Sequence, residues 1–158
     1  MNLDAQFQEA LFGEDELGAV VRAQIHIEAR VNQLLEVLSP FPEKLPHLRF
    51  DQMLKLACAL GLKEDSIVAF KELGNIRNRF GHQLNTRLTA GMIEKILNGL
   101  SLDDRGVLLR GYEMTSEQIP LSPFESLTPG DKFIILCVGL DKLLLQAITE
   151  VKFNARKP

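Results

Sequence analysis

Hydrophobic residues recur along most of this chain at the three- and four-residue spacing of amphipathic helices. The longest such stretch, 14–38, carries apolar residues on two adjacent stripes, which indicates a helix that is covered on more than one side. Pro40 and Pro42 follow and predict its end, because proline disfavours helical backbone in the residue before it. Similar spacing predicts further helices over 4–12, 51–60, 64–80, 89–100 and 128–151.

The region 101–127 has a weaker pattern. Residues 101–104 resemble an N-terminal capping box and predict a helical turn through Leu109, although 107–109 also fits a short strand. The stretch 114–126 contains Pro120 and Pro123 and is predicted to be a loop. Thr128 then has the character of a helix N-cap, because Pro follows it in the first helical position.

The fold class follows from these patterns. No segment alternates apolar and polar residues with the period of a strand over a useful length, and no internal repeat is found. We therefore predict an all-α bundle of about five to seven helices that forms a single domain over 1–158. Within it, 1–13 would be an N-terminal helical arm and 154–158 a frayed tail.

Composition narrows the class of protein. The chain has 158 residues, of which 46% are hydrophobic and 25% charged, which excludes a disordered chain and a disulfide-rich scaffold. Its formal net charge of −3 shows no bulk basicity of the kind that marks nucleic-acid binders. Cys58 and Cys137 lie in apolar stretches without C-x-x-C spacing, so both are predicted to be small core residues in a reducing compartment.

The same composition bears on location. The longest apolar run, 133–140, is far shorter than the roughly 18 residues of a membrane span. The N-terminal residues lack the basic flank and apolar stretch of a signal peptide. These features predict a cytoplasmic protein without a membrane contact.

One segment, 75–82, concentrates polar side chains on a helix that is otherwise suited to burial. At about 100° per residue, Asn75, Asn78, Arg79 and His82 share one face, and Asn78 and His82 are neighbours four residues apart. Arg77 lies at the edge of the opposite, apolar face, roughly 140° from His82. That core face consists of Phe70, Leu73, Ile76, Phe80 and Leu84.

This cluster has two interpretations on residue chemistry. In the first interpretation, the cluster is a solvated helix end, where the helix dipole favours basic residues. Alternatively it is a site in which His82 transfers a proton, Arg77 holds a phosphate and Asn78 orients either group. Such a set suits metal-free RNA cleavage by attack of a ribose 2′-hydroxyl on the adjacent phosphate, and two copies of the helix would supply enough groups.

Residues 77–82, Arg-Asn-Arg-Phe-Gly-His, match the R-N-x-x-x-H signature of HEPN domains. The longer stretches 49–62 and 70–82 resemble the mannitol operon repressor-like family, in which an F-x-x-K/M-L-x-L-A-x-A-L-G-L helix precedes an L-x-x-I-R-N-x-F-A/G-H helix. The similarity covers roughly the first two-thirds of the chain. Gly81 stands where relatives often have Ala, and Arg79 where an acidic residue is common.

The resemblance implies an all-α fold, a homodimer and one of two activities. HEPN domains include ribonucleases of toxin and defence systems, and by this likeness Arg77 and His82 would be the catalytic pair and Asn78 its polar companion. Asn75 and Arg79 would then take part in binding. Members of the repressor-like family are regulators without a DNA-reading module of their own.

Other sites are not supported by the sequence. His26 and His47 are not accompanied by further ligands at metal-binding spacing, and no phosphate-binding glycine loop or hydrolase motif is found, so no metal or cofactor is predicted. The segment 92–100 is short and carries one basic residue, Lys95, unlike a DNA-reading helix. Direct DNA binding is therefore not expected.

The sequence thus predicts a regulatory protein, similar to mannitol operon repressors, that acts through protein contacts as a homodimer. Its partner would be a regulator or an antitoxin. One alternative is a HEPN-type, metal-independent endoribonuclease whose substrate is RNA. The other is a degenerate HEPN-like binding module in which the Arg and His side chains anchor only helix ends.

Overall fold

The computed structural model describes residues 15–118 and 122–157, and within these ranges the protein is entirely helical. This confirms the predicted all-α class. Two short 3₁₀ turns, Pro42–Lys44 and Phe124–Ser126, interrupt the connections between α-helices. Within these described ranges, six α-helices are found: α1 Glu16–Leu38, α2 Phe50–Ala59, α3 Ile67–His82, α4 Ala90–Asn98, α5 Leu102–Gln118 and α6 Pro129–Ala155.

The two longest helices, α1 and α6, pack along each other and form the centre of the bundle. Helices α2 and α3 cover a second side of α1, while α4 packs between α3 and α6. The main packing partner of helix α5 is α6. Burial of apolar side chains from every one of these helices in one cluster is the main stabilising term of such a fold.

Side chains at the helix ends account for where the helices begin. Asp15, Thr89 and Thr128 each accept a hydrogen bond from a backbone N–H three residues on, at 2.8, 3.2 and 3.2 Å. The predicted N-cap at Thr128 is therefore confirmed. After α2, Gly61 takes a φ of 115°, a left-handed conformation that glycine adopts without strain, and the chain turns there as predicted.

Helix α5 differs from the sequence prediction. Residues 107–109 are helical rather than a strand, and the helix continues through Gln118, so the loop predicted from Met114 was wrong over its first part. The start is capped as expected, since Ser101 Oγ accepts from Asp104 N at 3.1 Å. In the stretch that also fits a strand, Leu108 is buried and reaches the surface of α6 at Gly139, a contact that the sequence does not show.

The predicted arm over 1–13 lies outside the described residues. At the other end, α6 continues to Ala155, beyond the predicted end at 151. In the part of the chain that the structure describes, none of the helices has the length and apolar character needed to cross a membrane.

The N-terminal half of α3 is fixed by polar contacts to the turn between α4 and α5. Ser66, just before α3, is buried; its Oγ donates to Asp104 and accepts from the Ser101 backbone N–H at 3.0 Å. In the next turn, Ala69 N donates to Gly99 O at 3.3 Å. These bonds orient α3, so its C-terminal half projects the predicted site residues from a fixed position.

Candidate functional site on helix α3

Helix α3 separates its apolar and polar residues as the spacing predicts. Phe70, Leu73, Ile76 and Phe80 are buried. On the other side, every residue named as a candidate from the sequence is exposed: Asn75, Arg77, Asn78, Arg79 and His82. The candidate side chains are therefore all open to solvent, and we call the surface that they form the α3 face, with Arg77 at its edge, away from His82.

Leu84 is the exception to the predicted core face. The sequence places it with the buried residues, yet its side chain is fully exposed. The reason is that α3 ends at His82 and Gln83 adopts an extended backbone, so the helical period does not continue to position 84. Leu84 instead stands at the end of the α3 face as an isolated apolar side chain.

Backbone carbonyl groups at the C-terminal end of α3 accept hydrogen bonds that do not involve His82. Gln83 N donates to Arg79 O at 3.0 Å. The Thr86 hydroxyl lies 3.3 Å from the same carbonyl and 3.2 Å from Gln83 O. Because these groups cap the last turn, the imidazole of His82 is not needed as a cap.

The polar side chains of the α3 face are uncommitted. Within residues 15–118 and 122–157, Arg77, Asn78, Arg79 and His82 make no side-chain hydrogen bond or ion pair. Asn75 lies 3.5 Å from Glu72 Oε1, at the long limit of a hydrogen bond. Side chains without internal partners contribute little to stability and remain available to a binding partner.

Arg77 leans along the helix rather than away from it. Its Nη1 atom lies 3.8 Å from the position that a Cβ on Gly81 would occupy. The guanidinium therefore reaches the turn that carries His82, although the two residues leave the helix in different directions. Gly81 keeps this surface open, since it has no side chain.

The α3 face is also the basic part of an acidic protein. Segment 67–89 holds four basic side chains and one acidic one, a formal net charge of +3, while the whole chain has −3. Two of these basic residues, Arg77 and Arg79, belong to the candidate set, and the other two, Lys71 and Arg87, lie outside it. The rest of the molecule is therefore markedly negative, and the α3 face is where an anionic group would be attracted.

The structure also shows a charged cluster that the sequence reasoning missed. Asp141 of α6 is 2% exposed and accepts two hydrogen bonds from Arg30 of α1, Nε to Oδ1 at 2.8 Å and Nη2 to Oδ2 at 3.2 Å. His26 Nε2 lies 3.1 Å from the same Oδ1. His26, which the sequence does not support as a metal ligand, is therefore placed by its contact with Asp141.

Burial pushes the pKa of Asp141 upward, but the hydrogen bonds and charges of His26 and Arg30 outweigh it, so the pKa lies below its ordinary value. Both carboxylate oxygens are occupied by these two side chains. The cluster therefore joins α1 to α6 and offers no oxygen to a substrate. Two signals in the sequence point to it: the four-residue spacing of His26 and Arg30, and an acidic residue at the end of the 133–140 apolar run.

In the described ranges, no three or more His, Cys, Asp or Glu residues form a group that could hold a metal ion. His47 is exposed. Comparison with protein families, with curated proteins and with solved structures gives no match to this chain. The function must therefore be argued from the residues and their geometry.

Proposed function

We propose that this protein is a regulatory binding protein that acts through protein contacts, with the α3 face as its contact surface. The observation that carries this proposal is the combination at the end of α3. Arg77, Arg79 and His82 have uncommitted side chains there, and Leu84 is fully exposed beside them. Arginine is enriched at protein–protein contact sites, and an exposed apolar side chain beside it would be buried by a bound protein.

Charge supports a partner with an acidic surface. The α3 face is basic while the rest of the chain is acidic, so association would be steered toward this side of the molecule. The apolar side chain of Leu84 favours a protein over DNA as the partner, because DNA contacts are dominated by phosphates and base edges. The resemblance to mannitol operon repressors points to the same kind of function.

A photo-reactive amino acid in place of Leu84 should cross-link one protein partner in living cells. The same label at Gln146, which is exposed on α6, should not capture that partner. Reversing two charges, Arg77→Glu with Arg79→Glu, should abolish the cross-link while circular dichroism shows an unchanged fold, because neither side chain has an internal partner in the described ranges. Mass spectrometry of the cross-linked product identifies the partner.

Two results would count against the protein-contact function. One is a cross-link from position 84 that survives the double charge reversal. The other is tight, sequence-specific binding of the isolated protein to DNA in a gel-shift assay. Either result would require a different use of the α3 face.

A metal-independent endoribonuclease is the second candidate, and the position of Arg77 favours it. Its guanidinium lies beside Gly81, one residue from His82, so a phosphate bound there would be close to the imidazole. A symmetric dimer formed through this face would bring the arginines of the two copies close together, and their like charges would repel. An RNA phosphate between the two copies would remove that repulsion, so the homodimer predicted from the sequence fits this candidate when RNA is present.

For the ribonuclease, purified protein should cleave RNA in the presence of EDTA. His82→Ala and Arg77→Ala should each lower the rate by about 100-fold, the usual contribution of a proton-transfer or charge-stabilising group. His47→Ala, which removes an exposed histidine elsewhere, is the matched control and should leave the rate unchanged. Absence of cleavage, or equal rates in all variants, would exclude the enzyme and leave the binding functions, including a degenerate HEPN-like module.

A further inference from the structure

A cavity of about 320 Å³ opens between the C-terminal half of α2 and the start of α3. Leu54 and Ala59 line it from α2, and Ile67 lines it from α3. Its size lies at the small end of the range for ligand sites, about 300–1,000 Å³. At about 30 Å³ for each water-sized group, it has room for about ten heavy atoms.

The polar groups of this cavity are mainly cationic. Lys55 of α2 and Lys71 of α3 both line it, against one acidic residue, Glu64. In the described part of the chain neither lysine makes an ion pair or a side-chain hydrogen bond. Two exposed ammonium groups that form no ion pair with a described residue, and one carboxylate, therefore border a pocket whose other lining residues are apolar side chains and a thiol.

Cys58 forms part of the wall and is only partly buried. Burial raises the pKa of its thiol, Glu64 raises it further, and Lys71 lowers it. The thiol is therefore protonated at neutral pH and behaves as a small, nearly apolar group. Glu64 and Lys71, whose charges shift this pKa in opposite directions, line the same cavity.

The cavity is separate from the α3 face. Lys71 precedes Arg77 by six residues, which is about 9 Å along the helix axis. None of the candidate residues from Asn75 to His82 lines the cavity. A ligand bound here would therefore be distinct from any partner bound through Arg77, Arg79 or His82.

We propose that the cavity between α2 and α3 binds a small amphipathic carboxylate. Its apolar chain packs against Leu54 and Ile67, and its carboxylate pairs with the ammonium groups of Lys55 and Lys71. The apolar lining selects a hydrocarbon body, and the excess of positive charge selects an anionic head group over a neutral or cationic one.

Octanoate, with ten heavy atoms, is the probe that tests this proposal. Titrated into ¹⁵N-labelled full-length protein, it should shift the amide resonances of Lys55, Cys58 and Lys71 and saturate at about 1 mM or below. It should also protect Cys58 from iodoacetamide, while Cys137, which is fully buried, serves as an unreactive internal control. Octanol and octylammonium of equal chain length should give much weaker shifts and protection.

Variants locate the binding. Lys55→Gln with Lys71→Gln should weaken octanoate binding about tenfold, whereas Lys63→Gln removes the same charge from an exposed residue outside the cavity and should change it little. Ala59→Phe places a ring in the cavity and should abolish binding, with the fold checked by circular dichroism. The proposal is overturned if shifts do not saturate by about 10 mM, if octylammonium binds as tightly, or if the double lysine variant binds unchanged.

Discussion

Replacing Asp141 with asparagine should lower the free energy of unfolding by about 3–5 kcal/mol. The substitution keeps the shape of the side chain but removes its charge, so Arg30, whose side chain is only 10% exposed, loses the carboxylate that accepts its Nε and Nη2 protons. His26 loses the same partner. Removing one member of a buried ion pair is costly because the remaining charge cannot recover its hydration. Urea denaturation at neutral pH measures the change.

Two further variants make this interpretation specific. Glu150→Gln removes a carboxylate from an exposed position of the same helix and should change stability by less than about 0.5 kcal/mol. Arg30→Met with Asp141→Leu replaces both charges by apolar groups and should recover most of the lost stability. If Asp141→Asn behaved like the Glu150 control, the ion pair would not be what joins α1 to α6.

The pH dependence provides a second readout of the same cluster. The pKa of Asp141 is lower in the folded protein than in the unfolded chain, so its contribution to stability is fully present above the ordinary carboxyl pKa of 3.8. That contribution is lost as the pH falls through the lower, folded value. Stability of the wild-type protein should therefore decrease steeply below about pH 4, and the Asp141→Asn variant should show a flatter decrease.

Gly99→Ala should destabilise the protein by about 2–3 kcal/mol through a clash between helices. A Cβ at this position would lie 2.6 Å from Ala69 N and 2.9 Å from Ala69 Cα. These are backbone atoms of α3, so no side-chain rotation relieves the contact. Separating the helices would also lengthen the hydrogen bond from Ala69 N to Gly99 O, which is 3.3 Å in the wild-type protein. Thermal and urea denaturation measure the loss.

Gly91→Ala is the matched control, because Gly91 is an exposed glycine of the same helix, α4. A Cβ there would meet only Thr89 Oγ1, at an ordinary contact distance of 3.8 Å. Alanine in place of glycine should stabilise this helix by about 0.5–1 kcal/mol. A similar effect of both substitutions would show that the approach of α3 and α4 at Gly99 is not tight in solution.

These stability predictions bear on the functional ones because they concern different surfaces. The Asp141 cluster lies between α1 and α6, and Gly99, at the end of α4, packs against the start of α3, whereas the α3 face is at the end of α3. Charge changes at Arg77 or Arg79 should therefore alter partner binding while leaving the fold intact. This separation allows a binding defect to be distinguished from unfolding.

The sequence alone determined the helical class and the two sides of α3. Phe70, Leu73 and Ile76 are buried and Asn78 and His82 are exposed, as their spacing predicts, because helical periodicity is a property of neighbouring residues. The N-cap at Thr128 and the turn at Gly61 were predictable for the same reason. The use of the α3 face stays a prediction, since side chains without internal partners do not identify what they bind.

Only the tertiary structure decided the features that depend on distant segments. Arg30 and Asp141 are 111 residues apart in the chain, and their ion pair exists because α1 packs along α6. Leu108 of α5 is buried against α6 at Gly139, a contact that the weak local pattern does not indicate. The cavity beside Lys71 likewise depends on two helices, α2 and α3, whose residues line it together. Local spacing sets which side of a helix is apolar, whereas the packing of helices sets what that side meets and which polar groups are brought together.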